Sequence, residues 1–333
     1  MPISTSFLAT WGTGALVVLL FTIWWLTNRT IRGRDRLAVF AAVVLGAVAA
    51  SVVSKKTLGI GGVLFFGLPW AYTVWIVWAV VARRFLSAFF RSGAIVATGL
   101  VWTYVSLLRM NGVSGDLKAD VHWRWEASTE EQYLAQRQKS IEPAPSLEPD
   151  AKEESSTELA AVEGDWTAFR GPLRNGEVRG VEIATDWNAS PPKQLWRQRI
   201  GPAWSSMLIV GGRLFTQEQI GDEEAVVAFD AASGKRIWTH IDKTRFWDSQ
   251  SGAGPRGTPE FIDGVIFTQG ATGVLNCLDA ATGHVKWSRD IAKDSGAALP
   301  PWGFSCSPLV ADDLVITYAG GKDDRGLLAY QKS

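Results

Sequence analysis

The sequence holds only two cysteines, Cys277 and Cys306, in 333 residues. They are too few for a disulfide framework and too far apart for a CxxC metal pair. Each sits in an apolar, strand-like run and reads as a buried free thiol, with a bridge between neighbouring sheets as the alternative in an oxidising compartment. Histidine is nearly as scarce: His122, His240 and His284 stand alone, without metal-ligand spacing. No metal site is expected from them, and only an isolated general-base role stays open. Net charge is also absent, with 33 Lys/Arg against 33 Asp/Glu. No long basic run or basic-aromatic stripe occurs, so nucleic acid is not an expected partner.

The zero balance hides three unlike regions. Residues 1–125 carry 12 Lys/Arg and 3 Asp/Glu, residues 126–163 carry 3 and 10, and residues 164–333 carry 18 and 20. A basic, apolar start, an acidic middle and a balanced end read as membrane region, linker and folded domain.

Residues 7–27, 37–54 and 60–82 contain no charge, and each is about the ~20 residues that a bilayer span requires. A fourth run, 85–108, is interrupted by Arg91 and is expected to begin near Ser92. Pro69 should start or kink the third helix. The expectation is a four-helix transmembrane anchor over residues 1–125, in contact with membrane lipid. The first run is not a secretory signal: no positive residue precedes it and no small-residue cleavage site follows. Trp11, Trp24, Trp25, Trp70 and Trp102 are placed near span ends, where indole favours the headgroup zone. The first loop carries Arg29, Arg32, Arg34 and Arg36, the third Arg83, Arg84 and Arg91, the second only Lys55 and Lys56. The positive-inside rule then puts loops one and three in the cytoplasm. Both termini lie outside, which predicts a multi-pass protein of the inner (cytoplasmic) membrane with its C-terminal domain in the periplasm. No Asp, Glu or His falls inside these spans, so a simple anchor is favoured over a proton or ion pathway.

Residues 126–163 are rich in Glu, Pro and Ser, and IEPAPSLEPDAKEESS is their centre. Such a segment buries too little apolar surface to offset its ordering entropy and reads as a disordered linker. Within it, residues 128–139 can form a short helix with Ser128 or Thr129 as cap and Glu131 as capping-box partner.

From Trp166 onward the pattern becomes β, and a peptide is written twice: AFDAASGKRIW at 228–238 and CLDAATGHVKW at 277–287. Asp230 recurs as Asp279, Gly234 as Gly283 and Trp238 as Trp287. Upstream, Gly211-Gly212, Asp263-Gly264 and Asp312-Asp313 each separate two apolar runs, as hairpin turns do. The Asp side chains accept backbone N–H bonds across the turn, Gly supplies φ > 0, and Trp fills a seam between sheets. A repeat of this length, built from strands and turns, points to propeller blades.

The motif A-x-D-x-x-T/S-G-x-x-x-W resembles the tryptophan-docking repeat of the pyrroloquinoline quinone (PQQ)-like β-propeller proteins, the superfamily of quinoprotein alcohol dehydrogenases. The resemblance covers residues 164–333 and implies an all-β domain of about three four-stranded blades. The superfamily includes a non-catalytic lipoprotein of outer-membrane barrel assembly. It therefore implies either a scaffold or binding module with a protein partner, or a dehydrogenase that uses PQQ and calcium on an alcohol or sugar and passes electrons to quinone. This chain lacks the adjacent cysteine pair of the alcohol dehydrogenases. Its third repeat stops at LAYQKS, which leaves a propeller of about three blades incomplete at the C-terminus, since rings close with ~4–8.

Three loops enter the innermost strands of such blades: GPAW (201–204), FWDSQSGAGPRG (246–257) and ALPPWGFS (298–305). They carry Trp204, Asp248, Arg256 and Trp302, candidate ligands for a flat anionic quinone through stacking and ion pairing; packing is the competing role. No catalytic residue maps from the family. GAGPRG (252–257) matches G-x-G-x-x-G in letters only, because it precedes a strand and contains Pro255. Residues 166–176, WTAFRGPLRNG, read as a fixed turn and a ring-closing strand.

Overall fold

The computed structural model describes residues 3–54, 58–82, 87–113, 118–140, 159–180, 182–248 and 251–333. The linker centre, Lys55, Lys56, Arg83 and Arg84 lie outside the described residues, as does the side chain of Trp11. The chain divides into two compact units, Met1–Glu126 and Ala127–Ser333.

The first unit contains α1 (Ile3–Thr27), α2 (Gly33–Val53), α3 (Gly59–Val81) and α4 (Ser87–Ser106), followed by a hairpin of β1 (Leu108–Val113) and β2 (Ala119–Trp123). Three helical stretches, Gly33–Val53, Gly59–Val81 and Ala88–Ser106, are long and apolar enough to cross a membrane, and a shorter apolar stretch, Leu16–Thr27, lies in α1. Pro69 lies inside α3 and does not start it.

Close helix packing depends on small residues. Gly46 of α2 and Gly67 of α3 both face the indole of Trp102, so a Cβ at either position would collide with it. Trp102 is 3% exposed and Trp25 fully buried. Trp25 donates to the Arg36 carbonyl at 3.0 Å and meets Trp75 edge-on at 4.7 Å. These two indoles are thus packing residues rather than headgroup anchors, a correction to the expectation from their position. Helix α2 begins four residues before the uncharged run and takes in Asp35, which is buried and receives Arg91 Nη1 at 3.0 Å.

The second unit opens with α5 (Thr129–Ser140). Its N-terminus is a capping box: Glu131 N–H donates to Ser128 Oγ at 3.0 Å, and Ser128 N–H to Glu131 Oε2 at 2.6 Å. The helix is fastened to the first sheet. Arg245 donates to both Glu130 oxygens, at 2.6 and 2.9 Å, and buried Tyr133 receives Arg236 Nη2 at 3.3 Å.

Three antiparallel sheets follow. The first comprises β3 (Leu208–Val210), β4 (Arg213–Ile220), β5 (Glu223–Asp230) and β6 (Arg236–Asp242) in sequential order. A two-residue-strand hairpin, β7 (Trp247–Asp248) with β8 (Gly252–Ala253), leads to the second sheet: β9 (Glu260–Ile262), β10 (Val265–Gln269), β11 (Val274–Asp279) and β12 (Val285–Asp290). After the short α6 (Ile291–Ser295) comes the third sheet: β13 (Leu309–Ala311), β14 (Leu314–Tyr318) and β15 (Leu327–Gln331). The third sheet has three strands where four were expected.

The sheets pack face to face. Phe215 and Ala228 of the first meet Phe261 and Ile266 of the second, while Phe267 and Leu275 of the second meet Val315 of the third. Strands β4, β5, β10 and β11 are buried on both faces. That accounts for the apolar runs of β5, β10 and β11, whereas β4 buries the polar Thr216, Gln217, Glu218 and Gln219.

Candidate functional site

The repeated peptide forms the same turn twice. Asp230 Oδ1 accepts Ser233 N–H at 2.8 Å and Ser233 Oγ at 2.6 Å; Asp279 Oδ1 accepts Thr282 N–H and Oγ1, both at 2.9 Å. A register shift follows Ala228 in one sheet and Cys277 in the other. Gly234 and Gly283 have φ of 71° and 76°.

Each turn carries an indole from the preceding segment. Trp196 donates to the Ala231 carbonyl at 2.9 Å, Trp238 to Ala280 at 3.1 Å, and Trp287 to Lys332 at 3.1 Å. A Cβ on Gly234 would lie 2.6 Å from Trp196, and one on Gly283 2.6 Å from Trp238. Trp196 is therefore a third copy of the docking residue. Its signal was the Leu-Trp pair at 195–196, matching Ile237-Trp238.

The segment 165–174 runs along the short first strands. Trp166 exchanges backbone bonds with Ile209 of β3 at 2.8 and 3.0 Å, and the Thr167 carbonyl accepts Phe261 N–H of β9 at 2.8 Å. Arg174 pairs with Glu260 and donates to the Pro308 carbonyl at 2.7 Å, while Glu260 also accepts Val310 N–H of β13 at 3.1 Å. Burial raises the Glu260 pKa, with Arg174 opposing it. One short segment thus ties all three sheets along one edge. A cleft of about 1140 Å³ lies beside it, with Trp166, Leu173 and Phe261 among its walls.

The three loops singled out from the sequence do meet. Trp204 Nε1 donates to the Ser251 carbonyl at 2.6 Å, and Trp204 N–H to the Pro255 carbonyl at 2.9 Å. Arg256 is the hub, at 9% exposure. Its Nη2 donates to Asp248 Oδ2 at 2.7 Å, Ser251 Oγ at 2.9 Å and the Gly252 carbonyl at 2.9 Å. Its Nη1 donates to Gly254 at 2.6 Å and its Nε to Trp302 at 3.3 Å, both through the carbonyl. The guanidinium also lies 4.7 Å from the Phe246 ring centroid. Burial lowers the Arg256 pKa, and Asp248 opposes that shift. Asp248 in turn accepts Ser251 N–H at 2.8 Å and Ser251 Oγ. In contrast, Trp204 and Trp302 are 56% and 52% exposed.

A second polar group escaped the sequence reading. Glu224 of β5 is 3% exposed, and its carboxylate accepts Ala271 N–H of the next sheet at 3.1 and 3.3 Å. Burial pushes its pKa up to about 7; Asp242, its cross-strand partner, pushes the same way. Asp242 is held by Asn276 at 2.7 Å and by His240 at 3.3 Å. His122 and the exposed His284 lie elsewhere in the chain. Both cysteines are free thiols, and burial lifts Cys277 to about 11. Among the described residues, no three His, Cys, Asp or Glu side chains form a metal-binding group.

A family model described as "Outer membrane protein assembly factor BamB" matches residues 123–244 and 222–333. The chain belongs to this PQQ-like repeat family. No curated protein matches it. Among solved structures it is similar to a europium-containing methanol dehydrogenase (20% identity, 47% of this chain, 27% of that chain, TM-score 0.35). It is similar also to the quinohemoprotein alcohol dehydrogenase of Comamonas testosteroni (20%, 47% and 23%, 0.35) and to BamB of Moraxella catarrhalis (16%, 40% and 49%, 0.26). The chain spans about a quarter of those dehydrogenases and about half of that BamB. At these scores the assignment rests on the repeat model alone.

A PQQ-like repeat raises the question of PQQ and calcium. The quinone's carboxylates need free cationic donors, and calcium needs free carboxylate oxygens. All three Arg256 nitrogens are bonded within the protein, and both Asp248 oxygens are engaged. The loop cluster therefore does not fit PQQ with calcium.

Proposed function

We propose that this PQQ-like repeat protein is a membrane-anchored binding module of the inner membrane. In this reading α1 is a fourth span and the β unit is a propeller domain facing the periplasm. The loop face around Trp204 and Trp302 docks a protein partner. The observation that carries the reading is the split within the loop cluster. Asp248 and Arg256 are consumed in bracing the 246–257 loop and fastening it to the Trp302 carbonyl, whereas the two indoles keep about half their surface open. Exposed Trp anchored on a rigid base suits an interface hot spot. The Lys/Arg bias of the loops supports the orientation.

A photo-crosslinking amino acid placed at Trp204, at Trp302 and at exposed Lys286 on β12 tests this in cells. The same discrete adduct at 204 and 302, absent at 286, is expected. PQQ- and calcium-dependent dye-linked oxidation of an alcohol or sugar by the purified chain would contradict it. Protease should cut the β unit in spheroplasts and leave it intact in sealed right-side-out controls with an outer membrane.

A further inference from the structure

The first unit contains a cavity of about 450 Å³ that is separate from the loop cluster. Its walls are Phe66 and Trp70 of α3, Tyr104 of α4 and Trp123 of β2, with His122 and Glu126 also lining it. Tyr104 and Trp123 meet edge to face, 5.7 Å apart at 88°, and Trp125 stacks against Trp123 at 5.0 Å. Trp70 and Tyr104 remain 62% and 51% exposed. The polar lining is built as firmly. His122 Nε2 meets Asp120 Oδ1 at 2.8 Å, and His122 Nδ1 meets Glu126 Oε2 at 3.0 Å. Two carboxylates therefore flank one imidazole, and the trio is net negative whether or not the ring is protonated.

We propose that this cavity binds the ammonium headgroup of a zwitterionic membrane phospholipid. Aromatic faces attract an ammonium through their quadrupole, and the Glu126 carboxylate in the cavity wall complements its charge. The occupant is a lipid because the lining helices carry exposed apolar side chains on the same faces: Val77, two turns from Trp70 on α3, and Leu100, one turn from Tyr104 on α4. An acyl chain leaving the headgroup finds apolar surface there.

The test is native mass spectrometry of the delipidated full chain in detergent. Phosphatidylethanolamine, phosphatidylcholine and phosphatidylglycerol of identical acyl composition are titrated separately. Retention of one ethanolamine or choline lipid at a concentration about tenfold below that for the glycerol lipid is expected. Glu126→Gln and Trp70→Ala should each weaken it about tenfold, the second at an exposed position that the fold does not require. Equal retention of phosphatidylglycerol overturns the proposal, as does unchanged retention in both variants. Soluble phosphoethanolamine forms the last arm: no competition at millimolar concentration is expected, and full competition would reassign the site to a water-soluble amine.

Discussion

Trp102 and Trp238 are held in opposite ways. In the helical unit, Trp102 is fitted between Gly46 and Gly67, drawn from two other helices, while its N–H finds no acceptor among the described residues. In the β unit, Trp238 lies on Gly283 and donates to Ala280, both in one turn of the next sheet. The first arrangement is packing that occurs once and leaves no pattern in the chain. The second is a local device written with Asp, Gly and Trp at fixed spacing, so it recurs and can be read.

The strongest way to break the comparison is Gly283→Ala. It imposes a side chain at φ 76° and drives a Cβ to 2.6 Å from the Trp238 ring. The sum of strain and overpacking is about 3 kcal/mol, expected as a lowered denaturant midpoint of the β unit with the helical unit unaffected. A comparable effect comes from Glu224. Its folded pKa lies above its unfolded value, so the neutral form is favoured on folding, and stability falls as pH rises from about 4.5 through about 7. The decline is on the order of 3 kcal/mol as an upper figure, and Glu224→Gln should flatten it in urea melts across that window.

Gly67→Ala tests the helical side. A Cβ there strikes Trp102, and overpacking of about 2 kcal/mol should lower helical-unit melting in detergent without moving the β transition. The smallest change is Trp238→Phe, which keeps a ring but removes the bond to Ala280; about 1 kcal/mol is expected by equilibrium unfolding.

The same contrast explains what the sequence reveals. The turns at Asp263-Gly264 and Asp312-Asp313 are legible because Asp263, Gly264 and Asp312 take the φ > 0 that their letters suggest. The capping box of α5 is legible for the same reason. The docking of α5 is not, since Glu130 and Arg245 are far apart in the chain and look like solvated charges. The three long apolar helices are legible to within a few residues at each end, but the inward turn of Trp102 depends on glycines in other helices. At the loop cluster, residue types point to Trp204, Asp248, Arg256 and Trp302. The acceptors that occupy Arg256 are mainly backbone carbonyls of Gly252, Gly254 and Trp302, which have no side-chain signature. Glu224 is hidden for a similar reason: beside a hairpin it reads as exposed, and only the next sheet buries it.

In the proposed function Arg256 ties the 246–257 loop to Trp302 and is not a ligand donor. Thermal unfolding of the full chain, with and without PQQ and calcium, for the natural protein and Arg256→Ala, tests it most directly. A lower midpoint in the variant and no shift by PQQ with calcium in either protein are expected. A midpoint that rises with PQQ and calcium in the natural protein, and does not rise in the variant, would contradict it.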